Sequence, residues 1–181
     1  MRGTDELAGV LALTRASNKA LSQPERLELL LEGGAAHALA QVTSGPVGTA
    51  DMFASADLIA EARRDINRWH DRGIQMITAL EPDYPHQLLT VREAPALLYY
   101  EGHVIPDDQA VAIVGSRAIA SPERRAAADI ARGVADLGLT IVSGLAKGID
   151  AAAHAAAIEA GARTVAVMGT PIEQTYPAEN R

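Results

Sequence analysis

Three short apolar runs in the second half of the chain each end on a glycine: "AVAIVG" at Gly115, "TIVSG" at Gly144 and "TVAVMG" at Gly169. The stretches between them are each long enough for one helix. The runs are almost continuously apolar instead of alternating, the pattern of parallel strands covered on both faces. Parallel neighbours need a crossover connection, and such crossovers are right-handed. The spacing therefore predicts an α/β fold over 109–181: a Rossmann-like parallel sheet, present as its first βαβαβ half. Ser121 is the expected N-cap of the first crossover helix, with Pro122 at its first position and Glu123 in its first turn. Gly138 should stop that helix, and Gly161 the Ala-rich one after it.

Upstream the period changes. "LAGVLALTRA", "PERLELLLEGG" and "ADLIAEARRDINRWHDRG" space apolar residues at three and four, so residues 1–73 read as a small helical domain. Ser22 before Pro24 is a start signal and Gly33-Gly34 a stop signal. "QVTSGPVGTAD" has the turn density of a loop. Residues 74–108 read as a connector with two strands, "GIQMITAL" and "APALLYYEG", joined by the turn-rich "EPDYPHQL".

Composition narrows the function. Aromatic residues are only 3% of the chain, too few for a surface that stacks many bases. With no cysteine, disulfides, thiolate metal sites and a cysteine nucleophile are excluded. No apolar run reaches membrane-span length and the N-terminus lacks a signal-peptide pattern, so a cytoplasmic location is expected. The net charge of −7 opposes DNA binding by the whole surface. The excess is local, however. Residues 1–109 carry 9 Lys/Arg against 16 Asp/Glu, whereas 110–181 carry 7 of each.

In doubly wound sheets ligands sit at the carboxyl ends of the strands. Those ends supply Gly115, Ser116 and Arg117 from the first strand, Ser143, Gly144, Lys147 and Gly148 from the second, and Gly169 and Thr170 from the third. Glycines allow close backbone approach, and N–H groups at helix starts attract anions. Arg117 and Lys147 add positive charge, and the hydroxyls add hydrogen bonds. Phosphate suits such a set, since Arg grips it bidentately and Lys acts as a point charge.

Other candidates carry less. Asp150 and His154, four apart, could pair as a general-base couple, but no nucleophile is fixed beside them and a structural role is the plainer reading. His37, His70, His86 and His103 show no metal spacing. Arg63, Arg64, Arg68 and Arg72 alternate with acids, as on a salt-bridged solvated face. Tyr84, Tyr99 and Tyr100 read as core and edge residues. The chain lacks G-x-G-x-x-G, the P-loop and G-x-S-x-G, so no nucleotide cofactor is implied.

Four ordered segments carry a resemblance: "DYPHQLLTVREAPALLYYEG", "AIVGSR", "TIVSGLAKGIDAAAHAAAIEAG" and "TVAVMGTPIEQTYPAENR". From about Ala62 to Arg181 the chain resembles the DNA-processing protein A (DprA/Smf) family. The resemblance implies binding of single-stranded DNA, protection of incoming strands in natural transformation, and loading of the RecA recombinase, with no catalysis. By position, the family's DNA-contacting arginine falls on Arg117 and its lysine on Lys147. Family members act as dimers and continue the sheet beyond the Tyr-Pro segment, where this sequence stops at "YPAENR". An uncovered apolar sheet face, marginal stability or self-association is therefore expected, and carry-over of dimerisation is in doubt. A Rossmann-like nucleotide sensor or a nucleoside-monophosphate phosphoribohydrolase is the rival reading, with Glu173 as a poor stand-in for the acid of the latter's loop.

Overall fold

The structure, a computed structural model, describes residues 3–17, 21–43 and 52–180. The loop expected after Thr43 lies, over 44–51, outside the described residues. The chain divides into two compact units, Met1–Asp107 and Asp108–Arg181.

In the first unit the apolar periods fold as α1 (Thr4–Arg15), α2 (Gln23–Thr43) and α3 (Met52–His70). Buried residues run without interruption from Ala8 to Leu13, because α1 packs against both α2 and α3. The last carbonyls of α1 accept from a side chain: Arg26 donates to Leu13 O and Ala16 O at 3.1 and 2.8 Å. That satisfies acceptors every helix end leaves open and sets a cation on the negative end of the dipole. At the start of α2 the Ser22 hydroxyl and backbone N–H both donate to Glu25. The stop expected at Gly33-Gly34 is a break, not an end. Gly34 leaves helical geometry with φ 77°, and the helix resumes through Thr43. The basic run on α3 is paired as expected in part, Arg63 with Asp5 and Arg68 with Asp65.

The two strands of 74–108 are β1 (Gln75–Thr78) and β2 (Leu97–Tyr100), an antiparallel pair with Thr78 opposite Leu97. They are not a separate layer. Ile77, Tyr84, Ala94 and Leu97 join Leu11, Leu30 and Val42 in one hydrophobic core. Tyr84 is fully buried, its hydroxyl donates to Pro95 O, and burial pushes its pKa up to about 12.

The second unit is a parallel sheet of β3 (Ala110–Ala112), β4 (Thr140–Ser143) and β5 (Thr164–Ala166), in that order, with Val111 beside Ile141 and Val142 beside Val165. The crossovers are α4 (Ser121–Asp136) and α5 (Ile149–Glu159). Ser121 is the first helical residue and not the cap, a position taken by Ala120 without a side-chain hydrogen bond. Pro122 still lies in the first turn, and Gly138 turns the chain out of α4 at φ 73°. At the amino ends of the strands Asp108 accepts from Thr140 Oγ1 and Arg163 Nε at 2.6 and 2.8 Å. Burial works to raise the Asp108 pKa, but those hydrogen bonds and the Arg163 charge hold it lower than usual.

Coverage of both sheet faces is not what forms. Ile113 and Ile141 pack with Ala131 of α4 and Ala153, Ala156 and Ala157 of α5 in one cluster, so both helices lie on one face. Two successive right-handed crossovers moving the same way must do this. Alternation sends Ala112, Val142 and Val165 to the other face. Beyond them Val114 and Val167 are 71% and 64% exposed, so the expected uncovered apolar face is present.

Tyr84→Phe removes the donor to Pro95 O while keeping the ring in the core. The expected loss is about 1 to 2 kcal/mol, read as a lower urea midpoint at unchanged slope. An unchanged midpoint would show that the hydrogen bond contributes nothing net.

Candidate functional site

The loops after β3, β4 and β5 meet at the carboxyl edge of the sheet, and their meeting rests on close backbone approach. Gly148 has φ 84°, and a Cβ there would lie 2.8 Å from Arg117 O and closer still to Ser116 O. The Ile149 N–H, first in α5, donates to Ser116 O at 3.1 Å. The Gly-Ser-Arg turn therefore caps α5 and is pinned to it. The backbone of Gly115 also lies against Ile149.

The loop after β4 is organised by a carboxylate. Asp150, 5% exposed, accepts from the Gly144 and Ala146 N–H groups at 3.1 and 3.3 Å. Between those two residues Leu145 sits at φ 59°, a left-handed conformation that costs a side-chain-bearing residue roughly 1 to 2 kcal/mol. Asn180 holds the same loop from the other side, donating to Leu145 O at 2.8 Å and Ala146 O at 3.2 Å.

A cavity of about 170 Å³ opens between these loops. Of the nine residues expected from sequence, Arg117, Gly144, Lys147, Gly169 and Thr170 line it. Gly115, Ser116, Ser143 and Gly148 are not lining residues and shape it from behind. The hydroxyls are already committed as donors: Ser116 to Ala118 O, buried Ser143 to Ile113 O, and Thr170 to Gln174 O. Ser143 is thus a packing residue, and Thr170 faces the cavity with acceptor capacity only. Sequence reasoning missed Ala146, Met168 and Tyr176 in the lining. It also missed Glu179, whose carboxylate lies 3.0 Å from Lys147 Nζ. Met168, Tyr176 and Glu179 come from the chain's return after β5, which no local spacing announces. Arg117, by contrast, faces no carboxylate within ion-pair distance among the described residues. The exposed Arg124 and Arg125, early in α4, lie toward the same edge of the sheet.

The sequence model of the family described as "DNA recombination-mediator protein A" matches residues 75–181, more than half of the chain. The chain belongs to this family. Over 103 residues it is 42% identical to the "DNA processing protein DprA" of Streptococcus pneumoniae, covering 56% of this chain and 36% of that protein. "Protein Smf" of Synechocystis is 38% identical over 112 residues, 59% of this chain and 28% of that one. The X-ray structure of DNA processing protein A from Streptococcus pneumoniae superposes with a TM-score of 0.64 at 28% identity, covering 94% of this chain and 60% of that chain. The chain thus spans well under half the length of these two curated relatives.

Within this DprA-family domain the Asp150–His154 couple does not form. Asp150 is occupied by backbone N–H groups, and His154 turns to Thr164. Thr164 Oγ1 donates its one proton to Ile141 O, so it accepts from His154 Nδ1–H at 2.7 Å. That fixes the tautomer and leaves Nε2 buried without a partner among the described residues. Among the described residues no three His, Asp or Glu gather as a metal site needs.

Burial lowers the His154 pKa, with the Asp150 charge pulling the other way. A folded value below the unfolded one means that the unfolded chain takes the proton first, so stability falls as pH drops. The urea midpoint should decline from about pH 6.5 downward, and His154→Gln should flatten the decline. An equal decline in both proteins would acquit His154.

Proposed function

We propose that this chain binds single-stranded DNA at the cavity between the three loops, with Arg117 holding a backbone phosphate and Lys147 a second contact. The supporting observation is the convergence of two cations from neighbouring strand ends on one cavity, with Arg117 facing no carboxylate among the described residues. Backbone contacts of this kind supply affinity without sequence information. Arg124 and Arg125 extend the positive track for a strand leaving the cavity. The role that follows is that of the named relatives, DNA processing in recombination. RecA is the proposed protein partner and protection of incoming strands the proposed purpose, with binding instead of catalysis as the act. The phosphoribohydrolase alternative loses its candidate acid, because Glu173 is not among the residues lining the cavity.

Fluorescence anisotropy of a labelled single-stranded oligonucleotide across a salt series tests this. Arg117→Ala should cost about 1 to 3 kcal/mol, the scale of a charge-assisted hydrogen bond. Lys147→Ala should lower the salt slope by about one unit. No difference between wild type and Arg117→Ala at low salt would remove the arginine from the interface. Glu179→Gln should act in the opposite direction, since it frees Lys147 from a competing carboxylate. The pair is exposed and worth at most about 1 kcal/mol, so a gain of up to about fivefold is expected. A weaker-binding Glu179→Gln protein would refute the competition.

A further inference from the structure

We propose that Tyr176 is a base-stacking platform, so that the cavity binds a nucleotide by its base as well as its phosphate. This rests on the single-strand reading above and deepens it. Tyr176 lines the same cavity as Arg117 and Lys147, yet the residue is 67% exposed. Its hydroxyl has no hydrogen-bond partner among the described residues, so no hydrogen bond accounts for the ring's position. It is also the one aromatic residue after Tyr100.

The ring stands on a fixed mount. Pro177 beside it is buried. On the amino-terminal side Thr170 Oγ1 donates to Gln174 O at 2.9 Å, and Gln174 N–H to Pro171 O at 2.8 Å. On the other side Asn180 bonds to Leu145 and Ala146, and its N–H donates to Pro177 O at 3.0 Å. An exposed tyrosine loses little rotamer freedom when a flat partner lands on it, and a preset mount lowers that cost further. A ring beside two cations is the combination that holds single strands: the cations track phosphates and the ring takes a base. Every base offers a π-face, so the contact discriminates little among sequences. It does discriminate against duplex, in which the bases are already stacked and paired. With one such ring, a single base per site is gripped.

The experiment is anisotropy with a labelled thymidine oligonucleotide and an abasic oligonucleotide of equal length, against wild type, Tyr176→Ala, Tyr176→Phe and Arg117→Ala. Wild type should prefer the base-bearing strand by roughly fivefold or more, the low end of a single stack. Tyr176→Phe should keep the preference. Tyr176→Ala should lose it, binding the thymidine strand as weakly as the abasic one while its abasic affinity stays at the wild-type level. Equal binding of the two strands by wild type, or an equal loss on both in Tyr176→Ala, overturns the stacking proposal. In either case a loss with Arg117→Ala on both strands shows that the phosphate site stands without it. Failure of folded wild type to bind either strand overturns both readings together.

Discussion

Two loops can approach within backbone contact only where no side chain intervenes, and the second unit is built around one such approach. With Gly148 bare, the carbonyls of Ser116 and Arg117 reach the start of α5, where Ser116 O takes up the Ile149 N–H. That single contact orients the Arg117 turn and takes up one of the N–H groups at the helix start that would otherwise invite an anion. The positive ends of helices are the usual lure for phosphate in α/β sheets. Here that donor is spent inside the fold, as are the Gly144 and Ala146 N–H groups on Asp150. Attraction for an anion is thereby shifted from backbone dipoles to the side chains of Arg117 and Lys147. A glycine-rich phosphate cradle and this loop thus share geometry but not donors.

The division of charge suits that shift. The acid excess of the chain belongs entirely to residues 1–109, and residues 110–181, which hold the cavity, are balanced. A strand held there is held by local contacts and not by a broad positive field.

How far the sequence could be read depends on which features are local. Strand–glycine runs, helix stops at Gly138 and Gly161, and the cations at the strand ends are properties of a few adjacent residues, and they were legible. Ser121 misled because a serine before a proline has the composition of a cap, while the cap residue is chosen by where the chain leaves the sheet. Gly34 misled in part: a positive φ breaks a helix, but the packing of α2 lets it resume. Coverage of both sheet faces was inferred from apolar strands, whereas the placement of helices follows from crossover direction. The hydroxyls of Ser116, Ser143 and Thr170 were read as ligand donors by type alone, and nothing in their spacing shows the backbone carbonyls that engage them. Glu179 and Asn180 were beyond such reading, since their partners lie more than thirty residues back in the loop after β4, and Tyr176 reaches the cavity on the same returning segment.

Leu145 carries the remaining lesson. Its left-handed backbone is held from one side by the Asp150 carboxylate at its neighbours' N–H groups and from the other by Asn180 at its own carbonyl. Asn180 also belongs to the segment that bears Tyr176. The lysine loop and the aromatic loop therefore share one pin, and a displacement of either is transmitted to the other through a residue that cannot relax cheaply. Their contributions to holding any ligand are coupled and do not simply add.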